Sequence, residues 1–424
     1  MMSSRTRFVL SAIIAVGMLM LSYWVTNQRF IISGETLLIR EVELVRGFFQ
    51  PHINPMADSV LLINVAYDKE LAIDTAANKG LGYEGITDRK KLFELLSGLK
   101  RQGDYRYILL DVLFTDNIHT PEDSALFSLI ASMDRIVVPR DINSALADTC
   151  LYGKAGLVNY FTNYKFVSFT KYPYLVDGKA SLPLKMYEEI TGHTITDHGL
   201  FATDGWRLAR QSIVLPFVLR CDSAYTKDGY KVWYNMGMDL LGSTFTYYGD
   251  TITGKSQLYN NPAMFQGNYN KDYQGVFRGK YIVIGAFSGG DMHYSYLENQ
   301  PGPAILFNAY LSLLHRHHIV SPWIFLLLLA AFFYMSWCIL NNKTIDMLLS
   351  SVTQPKTKSK AVVWRAFTVI ISWVGYSLFL SFLCVFTYLV MGEVYDIFIT
   401  ATVFQLISIA VARIRNYKTK IHHA

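Results

Sequence analysis

Four stretches of this chain are longer and more apolar than the core of a water-soluble domain requires: residues 8–25, 323–340, 367–391 and 395–412. Each has the length of a membrane-crossing helix, about 17–25 residues. Inside hydrocarbon the backbone must satisfy its own N–H and C=O groups, so these segments are expected to be helical. Residues 26–321, between the first and second stretches, have the mixed apolar and polar character of a globular domain.

Basic residues set the orientation. Arg5 and Arg7 precede the first span, Lys343, Lys356, Lys358, Lys360 and Arg365 separate the second from the third, and Arg413, Arg415, Lys418 and Lys420 follow the fourth. If every span crosses, all three groups fall on one side, and the enrichment of Lys and Arg in cytoplasmic loops makes that side the inner one. Residues 1–7, the loop 341–366 and the tail 413–424 are therefore expected inside, and residues 26–321 outside. Removing these basic segments from a chain of net charge +6 leaves the outer domain nearly neutral. It has no net basic character of the kind nucleic-acid binders carry, so no nucleic acid is expected as a partner. Membrane lipids are.

The run 8–25 exceeds the apolar region of a cleaved signal peptide, about 7–15 residues, and no small-x-small site follows it, so an uncleaved anchor is expected. Cys338 and Cys384 fall within spans, whereas Cys150 and Cys221 fall in the outer domain. An oxidising compartment permits a Cys150 to Cys221 bridge, but their distance is not readable from sequence.

The outer domain reads as α/β. Residues 60–67 (VLLINVAY) form a β-type run, and residues 88–101 place Leu92, Phe93, Leu95, Leu96 and Leu99 on one helical stripe ended by Gly103. Residues 105–110 (YRYILL) and 135–139 (RIVVP) are two more strands. Between them Thr120-Pro121-Glu122-Asp123 offers an N-cap, a proline at the first helical position and acids for the helix dipole. This β-α-β-α-β run predicts a largely parallel or mixed sheet flanked by helices. Residues 150–274 are less regular, with a helix expected at 181–192 and a strand at 230–236. A strand at 280–285 and an amphipathic helix at 303–316 follow.

Asp68, Asp111 and Asp291 each follow an expected strand, where ligands of open α/β sheets gather. If the strands are parallel neighbours, the three carboxylates converge with His293 and hold a cation or cationic ligand. The alternative is that they cap helices and bind loop amides. The loop Gly285-Ala286-Phe287-Ser288-Gly289-Gly290 matches neither a P-loop nor the dinucleotide fingerprint. His315, His317 and His318 read as a solvated group rather than a metal site. Asp291, His293 and Ser288 lack any nucleophile signature. No metal, cofactor or catalytic residue is expected.

The order of an N-terminal span, an outer α/β domain, a strand ending in glycine, Gly-x-Asp-x-His, Pro-Gly and a helix leading to three spans resembles the CHASE2 extracellular sensory domain of bacterial receptors. Here the carrying residues are the strand to Gly285, Gly289-Gly290-Asp291-Met292-His293 and Pro301-Gly302, with Gly156-Leu157-Val158-Asn159 and Ser181-Leu182-Pro183-Leu184 earlier. Tyr294-Ser295-Tyr296 stands where the family often has Thr-Pro, and Ile86-Thr87 lies near a missing tryptophan. The resemblance implies a multi-pass protein of the bacterial inner membrane, with both termini cytoplasmic and a periplasmic sensor domain. The family usually adds an effector domain after the last span. None is expected here, so the output would pass to a separately encoded effector.

Only five residues, 317–321, separate the last outer helix from the second span. Arg316, His318 and Pro322 are therefore expected to transmit the signal, and a flexible insertion after His318 is expected to cost little in folding. The rival expectation is a membrane scaffold that uses the outer domain for partner contact; a hydrolase comes third.

Overall fold

A computed structural model describes residues 3–28, 35–49, 59–75, 82–159, 171–215, 233–240, 245–247, 250–252, 277–288, 291–295, 299–344, 358–391 and 393–422. The chain is mixed α/β, with a parallel sheet and, among the described residues, four helices long and apolar enough to cross a membrane. It divides into two compact units, one formed by residues 1–48, 196–214 and 317–424, the other by 49–195 and 215–316.

The second unit is built on six parallel strands: β1 (Val60–Asn64), β2 (Tyr107–Leu110), β3 (Ile136–Arg140), β4 (Ala155–Leu157), β5 (Trp233–Asn235) and β6 (Tyr281–Gly285). Their order across the sheet is β5-β1-β6-β2-β3-β4. Every residue of β1, β2 and β6 is buried, which is why they read as continuous apolar runs instead of alternating. The expected strands and helices recur with shifts of a few residues. What the sequence order did not disclose is that β6 inserts between β1 and β2, pairing Leu62 with Val283 on one side and Leu109 with Val283 on the other.

Helix Arg89–Gln102 buries Leu92, Leu95, Leu96 and Leu99 against the sheet core. Its start is held by Asp88, whose side chain accepts the Lys91 N–H at 2.9 Å, and its end by Gly103 at φ 66°. Helix Asp123–Ala131 begins later than the Thr120-Pro121 signal predicts. The Asp123 carboxylate turns back to accept the Thr120 N–H at 2.8 Å and lies 3.4 Å from the buried Arg89 guanidinium.

In the first unit the candidate spans are Ser4–Thr26, Pro322–Leu340, Val362–Val390 and Phe398–Arg415. The fourth begins after the expected position because the Asp396 carboxylate accepts the Thr400 N–H at 2.9 Å and stays outside the helix as its cap. The first two spans run antiparallel: Phe8 packs on Phe333 and Trp337, and Tyr23 on Phe325. Ser11, Ala15, Met18 and Ser22 lie on the buried face of the first, where the small residues Ser11, Ala15 and Ser22 let helices approach closely in lipid. At one end of this bundle Arg7 donates to Asn341 and Arg415 to the Leu340 carbonyl. Basic residues of the first and last segments thus meet the end of the second span.

Candidate functional site

All six strands point the same way, so their carboxyl ends form one edge. There a cavity of about 330 Å³ is lined by Asp111 after β2, Asp141 after β3, Asn159 after β4, and Asp291 and His293 after β6. Two glycines make the close packing possible. A Cβ on Gly285, the last residue of β6, would lie 2.3 Å from Pro303 Cγ and 3.1 Å from Asp111 Cβ. A Cβ on Gly302 would lie 2.5 Å from Asp291 Oδ2. Gly302 opens helix Gly302–Leu314, and its N–H donates to the Asp291 carbonyl at 3.0 Å. The Asp291 carboxylate therefore sits against a helix N-terminus, where the dipole favours negative charge.

His293 Nε2 is 2.9 Å from Asp291 Oδ1. Asp141 accepts the Asn143 N–H at 2.6 Å and the Asn159 amide at 3.2 Å, while Asn159 accepts the Ile142 N–H at 2.8 Å. Burial, and after it the charge of Asp291, pushes the Asp111 carboxyl well above the ordinary carboxylate range. Among the described lining residues there is no Lys or Arg, so the cavity gathers three carboxyl groups with one imidazole. A small ligand carrying positive charge or several hydrogen-bond donors fits this chemistry. Among the described residues no set of His, Cys, Asp and Glu is arranged to hold a metal ion.

The expectation that three aspartates converge with His293 needs correction. Asp111, Asp291 and His293 line one cavity, but Asp68 does not. Asp68 is 1% exposed, its Oδ1 lies 2.9 Å from Lys91 Nζ, and its Oδ2 accepts the Gly237 N–H at 2.9 Å. Those partners satisfy it, which is the loop-binding alternative. The strand-end rule applied to β3 and β4 would have found Asp141 and Asn159, which the sequence reading missed.

The junction also departs from expectation, and the reason lies in residues 196–214, assigned by sequence to the outer domain yet compact with the spans. The hairpin of strands Ala202–Asp204 and Arg207–Ala209 pairs along the connector. The Arg210 N–H donates to the His318 carbonyl at 2.7 Å, Ala209 bridges Ile319, and the Val320 N–H donates to the Leu208 carbonyl at 3.0 Å. His318 is buried, with Nε2 3.1 Å from Asp204 Oδ2, so it is no member of a solvated histidine group. Arg316 adopts φ 61°, and Pro322 occupies the first turn of its helix. An insertion after His318 would break this ladder, contrary to the low cost expected of a free loop.

Arg210 completes the arrangement. Its Nη2 lies 2.6 Å from Glu393 Oε2 and its Nη1 donates to the Val394 carbonyl at 2.8 Å, while Glu393 Oε1 accepts the Ser321 N–H at 3.0 Å. Nothing in the sequence links Arg210 to a turn so far along the chain. Cys150 is exposed, and Cys221 lies outside the described residues, as do Gly289 and Gly290 and residues 345–357 of the basic loop 341–366.

No protein-family model, no curated protein and no solved structure matches this chain.

Proposed function

We propose that the chain is a multi-pass membrane receptor of the bacterial inner membrane. Its α/β unit is a periplasmic, CHASE2-like sensor that binds a small polar or cationic ligand, and a separately encoded effector receives the signal at the cytoplasmic face. The observation that carries this reading is the cavity at the carboxyl edge of the parallel sheet, where Asp111, Asp141 and Asp291 meet His293 with no cationic side chain among the described lining residues. Of the three, Asp141 bonds the Asn143 and Asn159 amides and Asp291 lies in the field of Lys69, while burial and the Asp291 charge act on Asp111. Ligands of open α/β sheets bind outside the carboxyl ends of the strands. The basic end of the helix bundle is the docking face for an effector, and it faces the cytoplasm.

The test is thermal unfolding of the full-length protein in detergent against a panel of small amines, amino-acid amides and divalent cations. It is run on the wild type and on Asp111→Asn and Asp291→Asn. A panel member should raise the wild-type midpoint and leave both variants unmoved. Stabilisation of all three proteins alike, or of none, overturns the receptor reading and leaves the scaffold. Reporters placed after Ala424 and within residues 150–270 should read cytoplasm and exterior respectively.

A further inference from the structure

We propose that the hairpin Ala202–Ala209 is an interfacial anchor whose tip sits in the lipid headgroup layer at the end of the helix bundle where the first span ends and the second begins. Four observations within the first unit place it there. First, the hairpin is fixed to both spans: the Tyr23 hydroxyl, near the end of the first, donates to the Ala209 carbonyl at 3.0 Å, and the connector to the second pairs with residues 208–210. Second, that pairing is antiparallel, as the bridge between Ala209 and Ile319 records. The direction from Ala209 back to Arg207 is therefore the direction from Ile319 on to Ser321, towards Pro322 and the membrane. At about 3.3 Å per residue the tip descends about 10 Å beyond Ala209, to the level of the first turn of the second span.

Third, the tip is apolar where a water-facing turn would be polar. Gly205, at φ 59°, takes the first position of a two-residue turn that requires a positive φ, and Trp206 follows at 88% exposure. Trp323, in the first turn of the second span, is 71% exposed at the same level. Fourth, the Arg207 guanidinium lies 5.5 Å from the Trp206 ring centroid. An indole with a neighbouring guanidinium suits the headgroup region, where the ring sits at the apolar boundary and the cation meets phosphate. The partner is thus the bilayer itself. The anchor fixes the end of the bundle against the lipid surface.

The experiment uses the full-length protein with its native cysteines replaced, reconstituted into vesicles of phosphatidylcholine and phosphatidylglycerol, with a nitroxide at Trp206→Cys or Arg207→Cys. Collision rates with oxygen and with a nickel chelate are compared with those of a label at Phe382→Cys within the third span and of free nitroxide in buffer. The ratio at both hairpin sites should shift from the aqueous value towards oxygen, to between the two references. If Trp206→Cys lowers the unfolding midpoint, Arg207→Cys, next to the tip, reads the same layer. Nickel access equal to that in buffer at both sites overturns the anchor. Shielding that appears only as protein density in the vesicles rises also overturns it, because it assigns the patch to a second copy.

Discussion

Replacing Arg210 by alanine should be among the most damaging single changes in the first unit. Its side chain and that of Glu393 are 10% and 6% exposed, and the two lie 2.6 Å apart. Alanine removes that charge-assisted bond and the one to the Val394 carbonyl, and leaves Glu393 buried with the Ser321 N–H at 3.0 Å. Charge-assisted bonds are worth about 1.5–3 kcal/mol each, and breaking a buried pair by removing one partner costs about 3–5 kcal/mol. The retained Ser321 bond shields part of the stranded charge, so the lower part of that range applies, about 3–4 kcal/mol. For a unit of this size that is a fall of about 6–16 °C in unfolding midpoint. A double-mutant cycle in detergent separates ion pairing from lost volume: Arg210→Met combined with Glu393→Gln strands no charge and should recover at least half of the loss. A single-variant loss below about 1 kcal/mol, the value of an exposed pair, would refute the reasoning. Strict additivity in the cycle would do the same.

The raised Asp111 carboxyl gives a pH signature. Its folded-state affinity for a proton exceeds that of the unfolded chain, so the stability it contributes is fully present below the ordinary carboxylate value of about 3.9 and is lost as pH rises through its folded value. Asp111→Asn should therefore unfold at a higher temperature than the wild type at neutral pH, with the gap closing towards about pH 4; a gap that does not change with pH refutes the assignment. Two glycines make a paired test of packing. A Cβ at Gly156 would lie 2.4 Å from Leu182 Cα, so Gly156→Ala should cost about 1–3 kcal/mol or more by pushing β4 from helix Leu182–Thr191. Gly98, inside helix Arg89–Gln102, has no atom within 4 Å of its built Cβ, so Gly98→Ala should be neutral or stabilising by up to about 1 kcal/mol in the same melts.

Much of this architecture was legible because it depends on local rules. Span length and the period of leucines in helix Arg89–Gln102 are properties of consecutive residues. So are Asp88 and Gly103 at that helix's ends, and the Lys and Arg groups between spans. Strand ends were legible too, and they named Asp111 and Asp291. The position of β6 was not, since a strand buried on both faces carries no mark of its neighbours, and pairing β6 between β1 and β2 is what brings Asp291 and His293 to Asp111.

Asp68 shows the same limit from the other side. It obeys the strand-end rule as well as Asp111 does, but Lys91 and the Gly237 amide claim both of its oxygens. The sequence alone determined that the chain has four membrane-length helices, a parallel α/β unit and acidic strand ends, because hydropathy, periodicity and capping act over a few residues. Only the tertiary structure decided which acids share a cavity, that residues 196–214 join the spans, and that Arg210 meets Glu393. Contacts between distant segments are selected by the burial and charge balance of the whole fold, which local sequence does not encode.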